Sequence, residues 1–256
     1  MLGENGLKTY QETLELLKSS EIYGCLAGSC MMPSDNREQW EEEPDIDVFC
    51  YNEASWVQAI MLLQYKHGFI VGSAKADEKE RKQNEWKINK TIHDGINKKN
   101  GIRLSTVKLH KDDVTVNISV KQWATSAMDV ILTFDQTIIM RAYDIPTGNQ
   151  FNLSKNPVDN IPTDEISYPN TYRMYDYSIY DTPWYVRQFD RVIKYWNRGI
   201  NTLPVAKFYL DMINKTIADS DLWESDKYLE DKENFIKEWS PVKDKIENWI
   251  KEKEAE

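Results

Sequence analysis

The sequence predicts an α+β fold: a mixed β-sheet flanked by helices, followed by a mainly helical C-terminal part. Three observations carry this. Short apolar strands and helical stripes succeed one another through the first half. Two strictly alternating segments meet at a polar turn and read as a hairpin. Beyond about Pro146 the strand signals give way to long helical patterns.

Taken in order, Tyr10, Leu14 and Leu17 recur at helical spacing and open the chain with a helix. IYGCLA (22–27) is a short apolar strand, and IDVFCY (46–51) is a second. ASWVQAIMLLQYKHG (54–68) is a helix closed by Gly68. The run 75–100, rich in lysine, reads as a solvated helix and loop. RLSTVKL (103–109) and VTVNISV (114–120) alternate around a turn from His110 to Asp113. Residues 145–171 carry four prolines and read as an extended connection. Two helices follow, YVRQFDRVIKYWNRG and PVAKFYLDMINKTIADS, the second with Pro204 suited to a first helical turn. A last helix sets Phe235, Trp239, Ile246, Trp249 and Ile250 at intervals of three, four and seven. The expected division is a first domain over 1–150 and a helical one over 151–256.

The 256 residues allow one large domain or two small ones. A hydrophobic share of 41% and an aromatic share of 12% argue against disorder. No run approaches the ~18 apolar residues of a membrane span, and the acidic, amphipathic first segment resembles neither a secretory leader nor a transit peptide. Cys25, Cys50 and Cys30 are too few for a disulfide framework and lack a second Cys/His pair for zinc. His67, His93 and His110 are scattered, so neither a zinc site nor a hydrolytic triad is supported. The expectation is a soluble, cytoplasmic protein. Its net charge of −10 does not favour general coating of DNA. Half of that charge lies in residues 221–256, which leaves room for a local basic face elsewhere.

The segment LAGSCMMPSDNREQWEEEPDIDVFCY carries the chemistry. A strand ends at Ala27, Gly28 and Ser29 follow, and Asp45-Ile46-Asp47 opens the next strand after a polar loop. Residues i and i+2 of a strand share a face, with α-carbons about 6.6 Å apart. Two carboxylates so placed suit hard divalent cations, which lie ~3.5–4 Å apart in two-metal sites. Gly28 lets the backbone approach a phosphate closely, and Ser29 offers a hydroxyl to its oxygens.

The Gly28-Ser29 pair followed by Asp45-x-Asp47 in an apolar strand resembles the signature of the DNA polymerase β-type nucleotidyltransferase superfamily. VILTFDQTIIMRAYD (130–144), taken as a strand, a short helix and a Phe-Asp element, resembles a phage-encoded branch of it. So does the pattern of Arg191, Lys194, Tyr195, Arg198 and Gly199. The resemblance implies a nucleotidyltransferase-like sheet and transfer of NMP from an NTP, ATP among them, to an acceptor hydroxyl, releasing pyrophosphate. It implies two magnesium ions, or manganese in their place, on Asp45 and Asp47. Gly28 and Ser29 would hold the triphosphate. The acceptor would be an RNA end, a protein hydroxyl or a small molecule, in a host cytoplasm if the chain is phage-encoded. The superfamily usually supplies a third carboxylate from a neighbouring strand. Here that position is Asn117, which leaves Asp135 of the Phe-Asp element, or Asp113, to complete the catalytic set.

Arg191, Lys194 and Arg198 fall at i, i+3 and i+7, which places them on one helical face. They are expected to meet nucleotide phosphates. Tyr172, Tyr175, Tyr177, Tyr180, Trp184 and Tyr185 are expected to pack between the two parts of the chain. Two alternatives stand beside the enzyme. One is a catalytically weakened protein of the same fold that binds RNA, nucleotide or a host protein. The other is an interaction protein that docks a partner through its acidic, Trp-rich tail.

Overall fold

Helix α1, Glu4–Lys18, turns the predicted stripe of Tyr10, Leu14 and Leu17 inward. The structure is a computed structural model. It describes residues 4–33, 45–72, 77–94, 106–156, 158–161, 163–170, 182–218 and 229–256. The polar loop 34–44, residues 171–181 with four of the expected tyrosines, the side chains of Trp184, Tyr185 and Phe235, and residues 219–228 of the acidic tail lie outside that description.

After α1 come β1 (Gly24–Ala27), a 3-10 turn (Ser29–Met31), β2 (Ile46–Cys50) and α2 (Glu53–Met61). Asn52 caps α2 by accepting from the Ser55 N–H. The helix runs on through a π-helical turn, Leu62–Lys66, and Gly68 ends it in the left-handed region at φ +70°. Then follow β3 (Ile70–Val71), α3 (Glu78–Asp94), β4 (Thr106–Lys111), β5 (Val114–Val120), α4 (Ala127–Ile131), β6 (Arg141–Asp144) and β7 (Gln150–Asn152). The C-terminal helices are α5 (Thr182–Trp196), α6 (Leu203–Ala218) and α7 (Leu229–Glu254). No described helix is long and apolar enough to cross a membrane.

The chain divides into two compact units. One joins Met1–Phe134 with Ile139–Ser154; the other joins Asp135–Ile138 with Lys155–Glu256. In the first, seven strands form a mixed sheet in the order β3-β4-β5-β2-β1-β6-β7. β2 and β5 run parallel, and the other neighbours are antiparallel. Helices α1, α2 and α3 cover one face over Leu26, Ile46, Val48, Leu109, Val116 and Ile118. Trp56 anchors that side, fully buried, with its Nε1–H donated to the Ile118 carbonyl at 3.2 Å. Helix α4 covers part of the other face, over Cys25, Ala27 and Ala142.

Three local readings differ from the sequence expectation. The hairpin turn is two residues, Asp112 and Asp113, both at positive φ, so His110 and Lys111 belong to β4. Val130 and Ile131 end a short helix instead of forming a strand. Ser126 and Asp129 build a capping box there, and amide and hydroxyl donors from Thr125 and Ser126 hold the Asp129 carboxylate below its ordinary range. The proline-rich connection contains a strand, β7, paired with the unforeseen β6.

In the second unit, α5, α6 and α7 share a core of Phe189, Val192, Tyr209, Ile213, Trp239 and Ile246. The Trp249 ring meets Phe189 and Trp196 edge-on at 5.7 and 5.4 Å. Pro241 lies inside α7 without ending it.

Candidate active site

Alternation along β2 decides which face carries the chemistry. Ile46, Val48 and Cys50 are buried against the helices, which turns Asp47 and Phe49 to the opposite side. Asp45, one residue before the strand, falls on the Asp47 side. Parallel pairing sets Asp47 opposite Asn117 of β5, and the hairpin sets Asn117 opposite Lys108 of β4. Asp47, Asn117 and Lys108 therefore stand in one row across three strands.

The Asn117 Nδ2 amide donates to Asp47 Oδ1 at 2.9 Å and to Asp45 Oδ2 at 3.1 Å. One amide thus bridges the two carboxylates. Lys108 Nζ lies 3.9 Å from Asp45 Oδ2, with side chains 47% and 48% exposed. A pair this open adds little to stability, but it leaves an ammonium at the rim of the carboxylate pair.

Gly28 closes the site from β1. Its backbone, at φ 91° and ψ −149°, occupies a region that is essentially restricted to glycine. A Cβ there would lie 3.5 Å from Asp47 Oδ2 and 4.0 Å from Phe134 Cε2, so glycine keeps the space beside the carboxylate clear. The Gly28 N–H donates to the Arg141 carbonyl at 3.0 Å, tying the bend to β6. Ser29 is buried at the start of the 3-10 turn. The structure thus brings Gly28, Asp45 and Asp47 together within the first unit.

Asp135, Arg191, Lys194 and Arg198 belong to the second unit. Asp135 is buried, with Arg191 Nη1 2.9 Å from its Oδ1 and the Tyr209 hydroxyl donating to its Oδ2 at 3.3 Å. Expected from sequence as a third carboxylate, Asp135 here forms an ion pair with Arg191, a nucleotide-binding candidate. Burial works against the Arg191 charge, but Asp135, Tyr195 and Tyr209 outweigh it and raise the guanidinium pKa. Lys194 is exposed on α5. Arg198 lies beyond the end of α5, in a turn closed by Gly199 at φ +79°, with its guanidinium 5.7 Å from the Tyr195 ring. The expected three-residue helical stripe is therefore two residues on the helix and one in its terminating turn. Asp113 sits in the hairpin turn. Among the described residues, no three His, Cys, Asp or Glu side chains gather in a way that could hold a metal.

The chain matches no protein-family model, no curated protein and no solved structure.

The site offers two carboxylates and an amide whose carbonyl oxygen, on rotation of the side chain, joins them as a third hard donor. The donor set fits a divalent cation. Lys108 carries no local signal in the sequence, because the two-residue turn at Asp112 and Asp113 sets its register opposite Asn117. Farther along the same face, the Tyr51 hydroxyl donates to the buried Asp144 at 2.8 Å, and Thr147 donates to its other oxygen at 2.6 Å. Burial pushes the Cys25 thiol up to about 12, partly offset by Tyr51, and also pushes Cys50 up to about 12. Neither is a thiolate near neutrality, which removes them as nucleophiles. A groove of about 640 Å³ between the end of α1 and α2, lined by Leu16, Val57, Met61 and Tyr65, opens on the helix-covered side. It is largely apolar and has no contact with the carboxylates, so the smaller polar cluster is the better candidate for catalysis.

Proposed function

We propose that this chain is a magnesium-dependent nucleotidyltransferase that moves NMP from an NTP to an acceptor hydroxyl and releases pyrophosphate. The observation that carries the reading is the convergence of Asp45 and Asp47 on one point of the sheet, beside a glycine that leaves room for a ligand. The resemblance of these residues to the DNA polymerase β-type signature supports it, as does a mixed sheet flanked by helices.

Asp45 and Asp47 would hold the metal, with Asn117 Oδ1 as a neutral third oxygen. Manganese would suit the same ligands. Bound there, the ion supplies the positive charge that eases ionisation of the acceptor hydroxyl and neutralises the leaving group. Gly28 admits the triphosphate to the edge of the carboxylate pair, and the adjoining Ser29 belongs to the same bend. The acceptor oxygen bonds to the α-phosphorus as the bond from phosphorus to the bridging oxygen breaks. The hydroxyl proton passes to water, to which Asp45 is half open. Arg191, Lys194 and Arg198 remain candidates for phosphate contact from the helical unit.

The test compares the purified protein with Asp45→Ala/Asp47→Ala, using magnesium, labelled NTPs and a panel of RNA, protein and small-molecule acceptors. The expected result is label transfer by the first alone. Equal transfer by both sinks the assignment.

One observation favours a second reading, a binding or regulatory protein of the same fold. The Asn117 amide donates to both acids and the Lys108 ammonium stands beside Asp45, so the chain's own groups partner the pair. On this reading nucleotide affinity, measured by calorimetry, is the same with and without magnesium.

A further inference from the structure

We infer that the outer face of α2 and the groove beside it are the contact between two copies of this chain, paired antiparallel about a two-fold axis. The groove lies on the helix-covered side of the sheet and does not touch Asp45 or Asp47. The inference therefore stands apart from the nucleotidyltransferase reading.

Helix α2 is apolar on two sides. Between Glu53 and Lys66 the chain carries no charged residue, although 29% of the whole chain is charged. Trp56, Ala59, Ile60 and Leu63 fill the inner side and are fully buried. Val57, Met61 and Tyr65 follow one another at spacings of four on the outer side, with Met61 50% and Tyr65 78% exposed. A helix apolar all round is normally a buried helix, yet Met61 and Tyr65 are open to solvent.

The π-helical turn Leu62–Lys66 extends this face. Such turns are rare and concentrate at functional positions. Closing from i to i+5, the turn winds less per residue than an α-helix, which holds Tyr65 close to the row of Val57 and Met61. With Leu16 of α1 on the opposite wall, these side chains line a groove of about 640 Å³.

Charge indicates what covers it. The groove carries one acid, Glu21, and one base, Lys66, both exposed. The Tyr23 N–H donates to the Ser55 hydroxyl at 3.2 Å, so Glu21 stands by the first turn of α2. Lys66 closes the other end, roughly 18 Å away at 1.5 Å of rise per residue. A second copy laid antiparallel sets Glu21 of one protomer against the partner's Lys66 at both ends, with Met61 near the axis. A parallel copy would set like charge against like. The net charge of −10 on each chain opposes self-association in general, so a groove of balanced charge is a surface on which two copies can meet. Apolar burial supplies the affinity, and the two exposed ion pairs fix orientation more than strength. The contact is small for an interface, so dissociation in the micromolar range is expected.

Sedimentation equilibrium of the full-length chain over a concentration series is the test. The parent is expected to approach twice the chain mass as concentration rises. Met61→Glu, which brings two carboxylates together at the axis, should weaken self-association by about tenfold or more. Glu21→Lys and Lys66→Glu should each weaken it severalfold. An equimolar mixture of these two variants pairs opposite charges at both ends and should recover the parent's strength, which a misfolded chain could not do. A parent that stays monomeric throughout overturns the inference. So does a dimer that Met61→Glu leaves at full strength, or a mixture no tighter than its two components.

Discussion

Gly28 is the residue on which the site's open space depends. Its φ of 91° with ψ −149° lies where a side chain costs about 1–3 kcal/mol. The added methyl would also stand 3.5 Å from Asp47 Oδ2. Gly28→Ala should therefore lower unfolding free energy by about that amount, read by urea titration, and should weaken nucleotide binding at the same time. A variant that binds nucleotide as well as the parent would show that ligand does not approach this bend. The glycine and the two acids were legible in the sequence because each acts through local backbone geometry: a bend after a strand, and i, i+2 spacing within one. Lys108 was not legible. A four-residue turn from His110 to Asp113 would set Thr106 opposite Asn117. The two-residue turn at Asp112 and Asp113 moves the pairing by two positions and puts Lys108 there instead. Nothing local to Lys108 announces this, since its role is assigned by a turn four residues away.

Among elements, the long amphipathic helices and β2 were readable because their burial is periodic, and β1 because it is a short run buried throughout. Helix α4 was not, because the β-branched Val130 and Ile131 favour strands when taken alone, and the capping box at Ser126 and Asp129 settles the matter. β6 and β7 were hidden by their brevity and by the prolines around them. Helices α5 and α6 tie an expected site residue into the second unit. Asp135 is bound by Arg191 of α5 and Tyr209 of α6, so it staples its short segment to two helices. Asp135→Ala should cost the second unit about 2 kcal/mol. That is less than the 3–5 kcal/mol of a fully buried broken pair, because Arg191 is 37% exposed and can hydrate when left alone. Thermal melts with and without manganese give the check. The same ligand-induced shift is expected in the variant and the parent, and loss of the shift would return Asp135 to the metal's ligands.

At the scale of the whole molecule, two buried thiols couple stability to alkaline pH. Burial raises the Cys25 and Cys50 thiols to about 12, well above the free-thiol value. Above the free-thiol value the unfolded chain has lost these protons while the folded chain keeps them. Stability is therefore intact below a pH of about 8.5 and falls as pH climbs from there toward the folded value, by up to about 1.4 kcal/mol per pH unit for each thiol. Urea midpoints at rising alkaline pH should fall more steeply in the parent than in Cys25→Ala/Cys50→Ala, and equal slopes would place the titration elsewhere. The two halves of the sheet also differ in when they can meet. Asp47 and Asn117 are 70 positions apart yet face each other across the parallel seam of β2 and β5. During synthesis both acids leave the ribosome long before the strand that completes their site. Until Val120 has followed, the nascent chain exposes a pair of unaccompanied negative charges, and the fold cannot close around them at any earlier length.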